Sequence, residues 1–214
     1  MRRFSLALLT VLVALPVHEA AAQIIRGGRL GLSDPQTWIS GTFGWQEGWT
    51  VFDGRSGSRW ELGDTQQYGG SIERAVTSGI TVGLRGNTSQ PSVRYVGTST
   101  TTEADMRVSQ ALGVVHVTTG RQLRSVFELG LGATIYSDLR ERGTGLRLGP
   151  SSTDTDFAFV FVYGLGYSFS RNFHVDVVQD LGTSLHQKTG LAAGEDTSAR
   201  ISSTRLVARY GFGG

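Results

Sequence analysis

The sequence predicts an all-β protein, an eight-stranded antiparallel up-and-down transmembrane β-barrel. Three observations carry that expectation: an export signal at the start, period-two alternation along eight segments, and connections that are by turns short and long. Composition agrees. The 214 residues include 30 glycines, 4 prolines and no cysteine, which excludes collagen, a disulfide scaffold, thiol catalysis and cysteine-ligated metal. Of the 20 basic residues only Lys188 is a lysine, unlike the lysine-rich surface of an ordinary soluble domain. The formal charge of +2, with no block of one sign, leaves no footprint for nucleic acid.

The first element is a signal peptide, residues 1–22. Met1-Arg2-Arg3 is its positive start, Phe4 to Val17 its apolar stretch, and Ala20-Ala21-Ala22 its small-residue cleavage region. At roughly 14 residues the apolar stretch falls short of the ~20 that span a bilayer as a helix. Residues 23–35 follow as an N-terminal periplasmic lead-in, and 36–212 form the barrel.

The strands come next, each with two chemically different faces. From Trp38 to Val51, Ile39, Gly41, Phe43, Trp45 and Trp49 alternate with Ser40, Thr42, Gly44 and Gln46. Tyr68, Ile72 and Val76 oppose Gln67, Gly69, Ser71 and Glu73; Ile80, Val82 and Leu84 oppose Thr81, Gly83 and Arg85. Around Met106 to Val117 the apolar row is Met106, Val108, Leu112 and Val114, opposite Arg107, Ser109, Ala111 and Gly113. Phe127, Leu129, Leu131 and Ile135 oppose Glu128, Gly130, Gly132 and Thr134. The aromatic row Phe157, Phe159, Phe161, Tyr163, Tyr167 and Phe169 opposes Ala158, Val160, Val162, Gly164 and Gly166. Phe173, Val175, Val177 and Leu181 oppose His174, Asp176, Val178 and Asp180, and Leu206, Ala208, Tyr210 and Phe212 oppose Arg205, Val207, Arg209 and Gly211.

Thr77-Ser78-Gly79, Gly120-Arg121 and Ser170-Arg171-Asn172 are hairpin turns, while longer polar stretches lie near 53–59, 87–103, 138–156 and 183–199. Short periplasmic turns alternating with long outer loops are the rhythm of an outer-membrane meander. A soluble lipocalin-like barrel shares the alternation but turns its apolar side inward. An eight-stranded lumen has no room for the Phe157 to Phe169 aromatics, whereas the Gly, Ser, Thr and Ala rows suit it. The apolar rows are therefore expected to face lipid, with Trp45, Trp49, Phe169, Phe173, Tyr210 and Phe212 in interfacial girdles.

On this rhythm, the hairpin Tyr163-Gly164-Leu165-Gly166-Tyr167-Ser168-Phe169-Ser170-Arg171-Asn172-Phe173 and the closing strand Leu206 to Phe212, the chain resembles the small outer-membrane barrels related to the transmembrane domain of outer-membrane protein A. The resemblance implies residence in the bacterial outer membrane, among lipid and lipopolysaccharide. It also implies that Tyr210 and Phe212 carry the C-terminal signal read by the outer-membrane assembly machinery, although Gly213 and Gly214 follow here.

Distance from the nearest turn places Glu73, Arg85, Glu128, Asp176, Arg205 and Arg209 in the periplasmic half of the lumen, an ion-pair network expected to plug the barrel. A porin-like channel is the competing expectation; one dominant sign of charge would suit it better. A lipid A-modifying enzyme needs a nucleophile and base, and His116, His174 and His186 have no serine at a fitting spacing. Asp138 and Asp180 read as solvated loop-base residues, and neither Asp154/Asp156 nor Glu195/Asp196 has an EF-hand's spacing. Arg140, Arg142 and Arg147 form a basic cluster at the height of lipopolysaccharide phosphates. The expectation is a non-enzymatic, monomeric outer-membrane barrel with a structural, adhesive or barrier role and no cofactor or metal.

Overall fold

The computed structural model describes residues 34–53, 57–148, 153–185 and 198–213. The signal peptide, most of the lead-in, His186, Glu195 and Asp196 lie outside the described residues. The strands are β1 (Thr37–Gln46), β2 (Trp49–Asp53), β3 (Ser58–Leu62), β4 (Thr65–Thr77), β5 (Ile80–Ser89), β6 (Ser92–Val96), β7 (Thr101–Gly120), β8 (Leu123–Glu141), β9 (Thr153–Ser168), β10 (Phe173–Leu185) and β11 (Ser198–Phe212).

Eight of them close a ring in the order β7-β5-β4-β1-β11-β10-β9-β8, with β8 pairing back onto β7. Every pairing is antiparallel, and closure runs from Thr37 opposite Phe212 to Gln46 opposite Ser203. One end of the ring carries the tight turns. Gly120 enters the β7–β8 turn at φ +99, where a Cβ would lie 2.4 Å from the Leu123 carbonyl oxygen; a glycine meets both conditions.

The expected long stretch 87–103 is largely strand, and strands flank the described ends of the stretch 53–59. β2, β3 and β6 continue β1, β4 and β5 beyond breaks at Glu47-Gly48, Gly63-Asp64 and Gln90-Pro91, and form a sheet β2-β3-β6 joined to the upper part of β7. Period-two alternation persists there because the extension has its own core: Leu62, Val93 and Ala104, with Trp49, Trp60 and Met106 packed against them. Trp49 is thus half-buried in this core rather than part of a lipid girdle. Thr101 and Thr102, expected in a loop tip, pair with Val96 and Tyr95.

The facing of the rows decides between a membrane and a soluble barrel. Leu84, Ile72 and Phe169 are 66%, 56% and 63% exposed on the outer surface, while Arg85, Arg205 and Arg209 are each 3% exposed inside. In water that exposure would forfeit roughly 1.5–3 kcal/mol for each large apolar side chain. This is a transmembrane barrel, with apolar residues toward lipid and charges inward.

One strand reverses the expected facing. In β7 the even positions Val108, Gln110, Leu112, Val114 and His116 are buried, and the odd positions Ser109, Ala111, Gly113 and Val115 look outward. Pairing imposes it: Leu112 sits opposite Arg85 and Gly132, both on inward rows. Leu112 and Val114 join Val126, Val160, Val162, Val178 and Val207 in an apolar core that fills one side of the lumen. Trp38, on the otherwise small and polar row of β1, also turns inward and is 8% exposed.

Candidate functional site

The interior toward the tight-turn end holds one connected charged cluster. Arg209 Nη2 donates to Glu73 Oε2 (2.6 Å), and Glu73 also accepts from Thr81 and, at 2.7 Å, from Ser71. Arg85 Nη1 donates to Glu128 Oε1 (2.5 Å). Arg205 grips Asp180 with two hydrogen bonds, 2.9 and 2.8 Å, the fork geometry that suits a guanidinium to a carboxylate. Arg124 Nη2 donates to Asp176 Oδ1 at 2.6 Å. Four arginines and four carboxylates therefore balance, as a poorly solvated interior requires.

Two histidines stitch the pairs together. Arginine can only donate, so the 2.5 Å contact from Arg209 Nη1 makes His116 Nε2 an acceptor and leaves the proton on Nδ1, 3.3 Å from Glu128 Oε2. By the same logic His174 Nδ1 accepts from Arg124 Nη1 at 2.6 Å. His174 stacks on Trp38 with ring centres 4.6 Å apart, and the Arg209 guanidinium carbon lies 5.3 Å from the centre of the Trp38 ring.

All six charges expected in the lumen lie in it, but the cluster is larger. Arg124 continues the Glu128 row two steps past Val126, and extending that row would have found it. His116 was hidden by the reversed facing of β7. Asp180, expected at a solvated rim, is 0% exposed because β10 runs on to Leu185 and puts it in mid-strand. Gly166 is the space the Arg124–Asp176 pair occupies: a Cβ there would lie 1.8 Å from Asp176 Oδ1.

The lumen at this level is closed to a cavity of about 20 Å³ among Glu73, Arg85, His116 and Glu128, room for about one water. Ligand atoms of Glu73, His116 and Glu128 lie within 4.8 Å of one another. They do not suit a cation: each is already held within the ion-pair cluster, and Arg85 and Arg209 would repel the added charge. Above the cluster come the buried amides and hydroxyls of Gln46, Gln67, Asn87, Gln110 and Thr134. Below it, the tight-turn end opens as a vestibule of about 830 Å³ floored by Trp38, His174, Arg124 and Arg209.

At the opposite rim two of the three expected basic residues, Arg142 and Arg147, meet acids that the sequence had not paired with them. Arg142 Nη2 lies 2.5 Å from Asp105 and Nη1 3.6 Å from Glu103; Asp138 lies 3.2 Å from Arg107 and 3.9 Å from Arg147. The hydrogen bond and charge of Asp105 hold the Arg142 guanidinium above its ordinary pKa. Arg140 is exposed, and its backbone bridges to Arg147. Asp138 sits in the left-handed region at φ 53, uncommon for a residue that is not glycine. Tyr210 and Phe212 point outward on the closing strand, 52% and 44% exposed.

No protein-family model and no curated protein matches the chain. Solved structures do. The outer membrane protein OprG of Pseudomonas aeruginosa superposes at a TM-score of 0.58 with 14% identity, over 88% of this chain and 99% of that one. The fold is that of the small eight-stranded outer-membrane barrels. Neisserial surface protein A (TM-score 0.47, 12% identity, 82% and 96% covered) is also similar. So is Ail of Yersinia pestis (0.45, 14%, 83% and 99%).

Proposed function

We propose that the chain is a non-enzymatic barrel of the bacterial outer membrane, exported by its cleaved signal peptide, with a structural role in the envelope barrier and a lumen that does not conduct. One observation carries the reading: at the level of the charged cluster, balanced ion pairs and apolar side chains close the lumen to a cavity of about 20 Å³. A conduit lined by charge favours one sign and continuous open space, and the lumen at this level offers neither. On this reading the barrel is monomeric, with a lipid-facing girdle that includes Trp45, Phe173 and Tyr210, and Tyr210 and Phe212 present the assembly signal. Arg140, Arg142 and Arg147, joined by Arg107, meet lipopolysaccharide phosphates at the outer rim, where pairing with Asp105 and Asp138 keeps Arg107, Arg142 and Arg147 extended and ordered.

Planar-bilayer recording tests the closed lumen. The wild-type monomer is expected to give no steady single-channel current, while a Glu73→Ala/Arg209→Ala double variant, which empties the middle of the cluster, gives measurable openings. Large steady currents from the wild type would refute the closed interior.

A further inference from the structure

The tight-turn vestibule is a different kind of space from the closed lumen above it. It is open, its volume of about 830 Å³ is that of a small-molecule site, and its wall carries Arg121, Arg124, Arg171 and Arg209 with His116 and His174. Asp34 is the single acid among its described lining residues. Arg124 and Arg209 are neutralised by Asp176 and Glu73, but Arg121 and Arg171 have no acidic partner among the described residues. These two exposed arginines come from different turns, β7–β8 and β9–β10, and line one space. Deeper in, Arg124 and Arg209 are 5% and 3% exposed, their terminal guanidinium nitrogens engaged by His174, Asp176, His116 and Glu73. Hydroxyls of Thr77, Ser78, Thr118, Ser168 and Ser170 fill in the wall.

From this arrangement we infer that the vestibule binds a small polyanion bearing phosphate or carboxylate groups. Arginine forks recognise both oxyanions, the hydroxyls donate to the remaining oxygens, and the concave wall of one charge sign strengthens the attraction over that of a flat surface. The site needs neither a conducting lumen nor a particular membrane, so it stands apart from the envelope role proposed above.

The test uses the mature, isotope-labelled chain in zwitterionic micelles at low ionic strength, where surface attraction is least screened. One sample is titrated with inorganic pyrophosphate and another with citrate, and the backbone amide shifts are followed by NMR. Saturable shifts at Gly120–Gln122 and Ser170–Asn172 are expected. The Arg121→Ala/Arg171→Ala variant should weaken binding roughly tenfold or more. Arg94→Ala, which removes an exposed arginine from the strand extension at the other end, should leave it unchanged. Tighter binding of pyrophosphate assigns a phosphate ligand, and tighter binding of citrate a carboxylate. Shifts that never saturate, that spread equally to both ends, or that survive in the double variant would overturn the site. Both replaced arginines are exposed, and heat-dependent gel migration verifies that the variant barrel is folded.

Discussion

Arg209 is the residue on which the interior turns. It donates to Glu73 and His116 and lies near the Trp38 ring, linking the closing strand to β4, β7 and β1. Removing one member of such a buried pair leaves the other charge stranded, at a cost of about 3–5 kcal/mol, whereas removing both with similar volume costs far less. Glu73→Ala is therefore expected to lower the urea midpoint of the micelle-bound barrel sharply, and Glu73→Leu/Arg209→Met to recover most of the loss. Equal losses in both variants would count against a coupled pair. Legibility at this scale was uneven. Glu73, Arg85, Glu128, Asp176, Arg205 and Arg209 could be placed by parity and distance from a turn. Arg124 lay further along the Glu128 row and within reach of the same parity, whereas Asp180 required the true length of β10 and His116 the true facing of β7.

β7 shows why alternation alone does not orient a strand. Its sequence offers an apolar row, Met106, Val108, Leu112 and Val114, and a small row, Ser109, Ala111 and Gly113, and hydrophobicity puts the first toward lipid. Register overrules hydrophobicity, because a slip of one residue reverses every side chain and β5 and β8 already have their faces set. The apolar row then packs inside against Val126 and Val162, and lipid meets mostly small side chains. The chain has no cysteine, so single-cysteine variants give a clean test. A lipid-soluble maleimide is expected to label Val115→Cys and spare Val114→Cys. The opposite pattern would restore the facing expected from sequence. The extension β2-β3-β6 makes the same point: loop length was visible, but the pairing that turns loop into sheet was not.

At the scale of the whole molecule, the ring closed between β1 and β11 leaves its transmembrane wall without an unpaired edge, and its outer surface is apolar. Such a barrel resists detergent at room temperature and unfolds on heating. Unboiled samples are expected to migrate faster on a denaturing gel than boiled ones, and the protein to fractionate with outer membranes. A soluble protein without a migration shift would refute the membrane assignment.

By itself the sequence determined the strand count of the ring, the order of turns and loops, and which rows are apolar, since these depend on local period and on residue types that favour turns. It also supplied a balanced set of inward charges. Only the tertiary structure decided who pairs with whom. The facing of β7, the burial of Asp180, the bridging roles of His116 and His174, and the gathering of Arg121 and Arg171 at one mouth all follow from register across strands far apart in the chain. Ion pairing and vestibule shape depend on distances of a few ångströms between such strands, and no local pattern encodes them.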